Sequence, residues 1–280
     1  MLLNTISLHL PQSLDEALQL YGSLSNVRLQ AGGTFLLNAL KLQKRKGTKT
    51  PEHVISLNKI PELKGIESHP SELIIKSMTT VSDLFDSKDL SNNLSVLKTV
   101  CRNISTQPIR NMATVGGNLT CRYTWTEMPA VMVGLEAKLH FVGKDGQCEA
   151  LLAEDFFKAA AKTDKIFTHV SINKNPKAVY AYRRVKKSQF VDIPLLSLLI
   201  KAEKEGGALV KTVVSVNNCV SFAQRDKKLE GFLNGRKITA SLAREALDHL
   251  DESIYDTRSS DYKKHMFRVS VEEAVGELIS

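Results

Sequence analysis

Leu14, Ala17, Leu18, Tyr21 and Leu24 recur at helical spacing behind Ser13-Leu14-Asp15-Glu16, a capping box in which the serine hydroxyl and the Glu16 carboxylate satisfy exposed amides; the pattern predicts a helix over 14–24. Residues 27–30 then alternate as a short strand, residues 31–34 make a tight glycine turn, and residues 35–40 resume helical patterning. The segment 41–49, with Lys41, Lys44, Arg45, Lys46 and Lys49, reads as an exposed basic loop. From His53 the texture changes to β-like runs at 53–57 and 73–78, separated by Pro61, Gly65 and Pro70. Thr80-Val81-Ser82-Asp83 starts another helix, 90–102 reads as helix, 107–118 as a turn-rich stretch, and 137–142 with 147–152 as a hairpin around Gly143-Lys144-Asp145-Gly146. After Pro176 the pattern resets: 208–216 and 220–223 are strand-like, while 226–234, 238–250 and 259–279 have helical periodicity. A domain boundary falls near 175.

A chain of 280 residues with 42% apolar and 24% charged residues and only 8 prolines lies in the globular range, which excludes collagen-like, coiled-coil and disordered classes and favours more than one domain. Subtracting 30 acidic from 38 basic residues gives a mildly basic net charge of +8. The N-terminal stretch lacks a basic flank and meets Asp15 early, so no signal peptide is expected, and no apolar run approaches the ~20 residues of a membrane span. The four cysteines are far apart with no CxxC, which suggests a cytoplasmic chain with free thiols that holds no iron–sulfur cluster of its own. The seven histidines form no ligand pattern, and neither a metal site nor a hydrolytic triad is expected.

Two glycine pairs carry the candidate chemistry. The first lies in Leu29, Gln30, Ala31, Gly32, Gly33, Thr34, Phe35 and Leu36; the second closes Ile109-Arg110-Asn111-Met112-Ala113 with Thr114, Val115, Gly116, Gly117 and Asn118. Each offers consecutive amides unshielded by Cβ beside a threonine hydroxyl, and a helix follows the first; such a nest suits a pyrophosphate. Two tight turns needing positive φ explain either pair better than a nest does when it is taken singly. Neither pair is a GxGxxG or a GxxxxGK[ST].

Read together, AGGTFLLNALK, the phrase VISLNKIPELKGI at 54–66, QPIRNMATVGGNLT at 107–120 and AYRRVKKSQFVDIPLLS at 181–197 occur in the order and spacing of one family. The chain resembles the FAD-binding medium subunit of molybdenum hydroxylases, the group of bacterial xanthine dehydrogenases, carbon monoxide dehydrogenase and nicotinate or quinoline oxidoreductases. The resemblance implies an α+β flavoprotein with the FAD-binding fold of the vanillyl-alcohol-oxidase/PCMH type. Its subdomains are expected at 1–55 (small α/β) and 56–175 (antiparallel α+β), followed by a C-terminal α+β domain at 176–280 with a three-stranded sheet and helices. FAD is the implied cofactor, bound without a covalent link, with residues 29–36 and 114–118 around its diphosphate. The implied contact on the adenosine side is Glu127, nine positions beyond Asn118. Phe167 is implied near the flavin ring, and Arg184, where the family often has Lys, as a cation beside flavin N1. The competing reading of Arg184 is a solvated member of the run Arg183, Arg184, Lys186 and Lys187. Phe35 stands where an Asp is common, and only Met128 precedes Pro129 where the family has a longer loop. Trp125, the sole tryptophan, is open to adenine stacking, partner contact or plain loop packing.

The implied activity is that of an electron-transfer subunit, inactive on substrate alone. It passes electrons from iron–sulfur clusters of a small partner subunit to NAD+, a quinone or another acceptor, beside a large subunit carrying molybdenum cofactor, in a heterotrimer open to dimerisation. A self-contained flavin oxidase of the same fold superfamily would need a cap region and a catalytic base, and the chain is short for both. A basic nucleic-acid-binding module accounts for the charge but for neither glycine segment.

Overall fold

In the computed structural model, which describes residues 5–90, 94–123, 125–159, 163–255 and 260–280, the chain lays down three sheets in succession. Strand β1 (Ser7–His9), helix α1 (Leu14–Ser23), β2 (Val27–Gln30), α2 (Leu36–Arg45) and β3 (His53–Ser56) form a parallel sheet ordered β1-β3-β2. Ser13 caps α1 by accepting from the Glu16 amide, and the Glu16 carboxylate reaches back to the amide of Gln12 rather than that of Ser13. The expected basic loop begins only after α2, which runs on through Arg45: Leu40 and Ala39 keep one face inward, and Lys44 and Arg45 sit in the last turn, where the helix dipole favours cations.

The second sheet holds β4 (Ile66–Ser68) and β5 (Glu72–Lys76). Its covering helices follow in the chain: α3 (Val81–Asp86), α4 (Ser95–Asn103), α5 (Gln107–Arg110), α6 (Val115–Thr120) and α7 (Met128–Gly134). Then come β6 (Lys138–Val142), β7 (Cys148–Leu152), α8 (Ala153–Lys158) and β8 (Ile166–Asn173). The order is β4-β5-β8-β6-β7, antiparallel throughout, so the last strand made enters the middle of the sheet. Leu73, Ile75, Leu139, Phe141, Val170 and Ile172 turn to the helices and are fully or almost fully buried. The helix expected over 90–102 starts at Ser95; Leu90 is a buried core residue ahead of it, and 91–93 lie outside the described residues. The stretch 107–118, expected as turns, forms α5 and the start of α6, because Gln107-Pro108 and Thr114 supply helix starts that the glycine pair masks in the sequence.

The third sheet is antiparallel: β9 (Ala178–Lys186), β10 (Pro194–Glu205), β11 (Ala208–Asn217) and β12 (Gln224–Arg225), ordered β12-β11-β10-β9. It has four strands where three were expected; β12 pairs over only two residues, and residues 220–223, read as strand-like, form the loop before it. One face packs on α9 (Lys227–Leu233), α10 (Leu242–Glu245) and α12 (Asp261–Ile279), with α11 (Glu252–Tyr255) alongside. The other face meets α7, every residue of which is buried. The Ser215 hydroxyl donates to the Ala130 carbonyl at 2.7 Å and Asn217 Nδ2 to the Thr126 carbonyl at 2.8 Å. Among the described residues no helix is long and apolar enough to cross a membrane, and no three His, Cys, Asp or Glu residues gather to hold a metal.

Gly134 ends α7 where a Cβ would stand 2.6 Å from both Leu199 Cδ2 and Ser215 Oγ. Gly134→Ala is therefore expected to cost about 2 kcal/mol by overpacking. Gly276 lies inside α12 with nothing within 4 Å of a Cβ; Gly276→Ala is expected to stabilise by about 0.5–1 kcal/mol. Urea denaturation midpoints moving in opposite directions check both.

Candidate cofactor cavity

A cavity of about 780 Å³ opens where the first two sheets meet, and most of the residues singled out in the sequence line it. The turn after β2 gives it Leu29, Gln30, Ala31, Gly32, Gly33, Thr34, Phe35 and Leu36; the end of β5 and the start of α6 give it Ser77, Met78, Thr114, Gly116, Gly117 and Asn118. Val115 is buried behind the wall in the main core.

The two glycine pairs differ physically. At the first, Gly33 has φ +72°, the left-handed conformation that glycine adopts without strain, and a Cβ on Gly32 would collide with the carbonyl of Met112. The backbones of the two segments therefore touch. No hydrogen bond among the described residues engages the amides of Gly32, Gly33, Thr34 or Phe35, and α2 begins without a side-chain cap. An uncapped helix start with free amides ahead of it suits an anion.

At the second pair the amides are already taken, which corrects the expectation of a second nest. Val115 N–H donates to Thr79 O (3.0 Å), Gly116 N–H to Ser77 O (2.8 Å), Gly117 N–H to Thr114 Oγ1 (3.0 Å) and Asn118 N–H to Thr114 O (2.9 Å). Neither glycine needs positive φ. Gly116 is glycine because a Cβ would sit 2.7 Å from the Ser77 carbonyl and 3.1 Å from Phe167; a Cβ on Gly117 would stand 3.4 Å from that of Ala31, between the two segments. The unpaired groups here are on side chains of two lining residues: Ser77 Oγ and Asn118 Oδ1 are buried and have no hydrogen-bond partner.

From this middle the cavity extends two ways. Along α2 lie Ala39, Leu40 and Gln43, faced by Asn103, Ile104, Ser105 and Ile109. The other extension holds Glu127, Phe156, Lys165, Phe167 and Val191–Pro194 from the β9–β10 loop. There the nearly buried Glu127 takes a bond from Arg184 Nε at 2.7 Å and one from the Tyr182 hydroxyl at 3.2 Å, while Arg184 Nη2 holds the Asp192 carbonyl at 2.6 Å. Burial pushes the Glu127 carboxyl above the ordinary carboxylate range, against the pull of Arg184 and Tyr182. Glu127 and Arg184, expected at the adenosine and flavin ends respectively, bond each other and so sit at one end. Arg184 is no solvated member of a basic run: its side chain is 9% exposed and braces the wall from behind.

Phe35, Tyr123 and Trp125 form an aromatic group at the rim, Tyr123 and Trp125 stacked at 4.1 Å, so the tryptophan belongs to the cavity edge. Sequence reasoning missed Gln43, Ser77, Ile104, Tyr182 and Asp192. Gln43 alone left a signal, as the one polar residue at i+7 on the face of Leu36, Ala39 and Leu40.

Comparison with known proteins agrees with this geometry. Residues 4–174 match the family described as the FAD binding domain in molybdopterin dehydrogenase. The carbon monoxide dehydrogenase medium chain of Hydrogenophaga pseudoflava is 27% identical over 277 residues, covering 95% of this chain and 94% of that one. The nicotinate dehydrogenase FAD-subunit of Eubacterium barkeri is 24% identical over 260 residues, 88% and 85% of the two chains. Among solved structures, carbon monoxide dehydrogenase from H. pseudoflava lacking the Mo-pyranopterin moiety superposes with a TM-score of 0.88 at 27% identity, over 99% and 98% of the two chains. Quinoline 2-oxidoreductase from Pseudomonas putida 86 shares the fold at a TM-score of 0.87. A cavity built on two glycine segments, in a chain matched over most of its length, thus identifies a member of the molybdopterin dehydrogenase FAD-binding family, an FAD-binding oxidoreductase subunit of the molybdenum hydroxylases.

Proposed function

We propose that this chain is the electron-transfer flavoprotein of a three-subunit hydroxylase, taking electrons from iron–sulfur clusters on a small subunit and delivering them to NAD+, a quinone or another acceptor. A large subunit with molybdenum cofactor completes the complex. The observation that carries the reading is the cavity's set of unpaired groups: the amides of residues 32–35 at an uncapped helix start, with Ser77 Oγ and Asn118 Oδ1 buried opposite. An extended dinucleotide diphosphate fits that donor set, because it brings anionic oxygens to the amides and hydroxyls to the side-chain acceptor.

In this reading residues 29–36 and 114–118 hold the middle of FAD, with Val115 supporting from the core. Glu127, Phe167 and Arg184 serve its flavin end. The direction follows from charge: the charged lining residues are Arg28, Arg122, Glu127, Lys165 and Asp192, and none comes from α2 or from residues 103–109, a stretch that suits a neutral base. Bound FAD supplies a ring that accepts and releases electrons singly or in pairs. The chain's residues set the field around it: Arg184 keeps a fixed positive charge behind the wall, and Glu127 fixes its position. The division into 1–55, 56–175 and 176–280 is part of the proposal, as is a cytoplasmic setting, which four cysteines outside any disulfide support. Relatives named as medium chains and FAD subunits of dehydrogenases support the partners.

Three outcomes are expected. Gly117→Val fills the gap beside Ala31, so flavin retained after gel filtration should fall at least a hundredfold with the fold intact, whereas Gly116→Val, forced against the Ser77 backbone, should fail to fold; retained flavin in folded Gly117→Val contradicts the cavity reading. Arg184→Met leaves the Glu127 carboxylate buried without its ion-pair partner, held by the Tyr182 hydroxyl, at a cost of about 3 kcal/mol near neutral pH. Since the folded chain holds the Glu127 proton more tightly than the unfolded chain, stability falls as pH rises past the ordinary carboxylate range, and the deficit of the variant should be larger at roughly pH 8 than at roughly pH 5 in urea denaturation of the flavin-free chain. The chain alone should release its flavin on acid precipitation and hydroxylate nothing, while co-expression with neighbouring genes yields a complex whose flavin bleaches with substrate; hydroxylation by the isolated chain promotes the self-contained oxidase.

A further inference from the structure

Arg28, Arg122 and Lys165 are the cations that line the cavity, and two of them are already committed. Arg122 Nη2 donates to the carbonyls of Phe157, at 3.1 Å, and Ala159, while Lys165 pairs with Glu149 at 3.0 Å. Arg28 is exposed, and no hydrogen bond or ion pair among the described residues engages it. Strand β2 decides where it stands. Val27 and Leu29, continued by Ala31, pack into the apolar cluster of the first sheet, which leaves Arg28 and Gln30 on the other side of the strand. The chain then turns back over Gln30, since a Cβ on Gly33 would stand 2.8 Å from Gln30 Nε2. Arg28 therefore lies one strand repeat, about 7 Å, behind the turn that carries the free amides, a gap its long side chain spans. A second observation puts its charge on that side. The Tyr123 phenol, pushed up by burial and by Cys121, is drawn down again by Arg28, and the Tyr123 ring lies 4.4 Å from that of Phe35, whose amide is one of the free ones. Asp164 acts with Arg28 on the Tyr21 phenol but forms no ion pair with it. A guanidinium without a counter-ion thus stands beside amides without an acceptor, and an anion answers both.

We propose that Arg28 supplies the counter-charge of the FAD diphosphate, closing on a phosphate from the solvent side while the amides of residues 32–35 hold it from the protein side. The inference rests on the cavity being an FAD site but not on which way the FAD lies, because the diphosphate is its middle in either direction. Amides carry only partial charges, and a guanidinium adds a full one in a planar fork that matches phosphate oxygens. Standing exposed in the flavin-free chain, it leaves no buried charge unpaired before the ligand arrives.

The test is equilibrium binding of FAD to the flavin-stripped full-length chain, read by flavin fluorescence, for wild type, Arg28→Gln and Arg28→Lys. Titrations are run at roughly 0.01 M and roughly 1 M salt, where charges are screened over about 30 Å and about 3 Å. At low salt Arg28→Gln should bind FAD about tenfold more weakly than wild type, the scale of one charge-assisted hydrogen-bonded pair. Arg28→Lys should recover part of that loss, because it keeps the charge and gives up the fork. The gap between wild type and Arg28→Gln should narrow at high salt, and the urea midpoints of the three flavin-free proteins should coincide, since Arg28 has no partner there to lose. Wild-type affinity in Arg28→Gln at low salt, a loss of the same size at both salts, or a clearly lowered urea midpoint in that variant overturns the assignment of Arg28 and leaves the cavity reading standing. A folded wild-type chain that binds no FAD at either salt overturns both.

Discussion

The backbone of Gly32 lies against the carbonyl of Met112 with no space for a side chain between them, and Gly116 lies, less tightly, against the carbonyl of Ser77. The first approach fixes how the parallel sheet meets the antiparallel one, and the second seats α6 against the end of β5. Around them the free amides of the first segment and the residues Ser77 and Asn118 line one cavity. The packing of Met78 and Ile166 with Ile55, Ile60 and Leu63 backs the same junction with an apolar layer. Small residues at the contact line are thus a condition of there being a site at all, before any question of what they bind.

The division of labour between the glycines was only half legible in the sequence. Both pairs look alike as letters, and the positive-φ turn was right for Gly33 alone. Whether an amide is free depends on which distant carbonyl comes near it, and the carbonyls that take Val115 and Gly116 belong to Thr79 and Ser77, more than thirty residues upstream. Local patterning found α1, β2 and the β6–β7 hairpin because each has one wetter and one drier face, and found the buried β3 as a short apolar run. It did not assign β9 and β10, because the third sheet is covered by α12 on one side and by α7 on the other, so runs such as Leu195-Leu196-Ser197-Leu198-Leu199-Ile200 carry no alternation to read. The family resemblance supplied the fold there, where periodicity was silent.

The pairing of Glu127 with Arg184 shows how a motif-by-motif transfer of roles can conflict with geometry. Each residue taken separately had a plausible station along an extended ligand, but a 2.7 Å bond between them allows only one station. The pair costs desolvation that its own attraction only partly returns, and Tyr182 and the Asp192 carbonyl supply the remaining hydrogen bonds. Its effect is to tie the end of β9 and the following loop to the residue that opens α7, so the charge distribution at this end of the cavity is held by the third sheet although Glu127 itself belongs to the second.

That arrangement makes α7 more than a cover. Enclosed on all sides, with Ser215 and Asn217 reaching across to the carbonyls of Ala130 and Thr126, it is shared property of the two larger units. A chain cut at residue 174, where the family match stops, would keep its glycine segments yet leave one flank of α7 as a wet apolar trench and release Glu127 from its counter-charge. The C-terminal unit therefore covers part of the core that the glycine-bearing part builds, and separating the two would expose that trench to water.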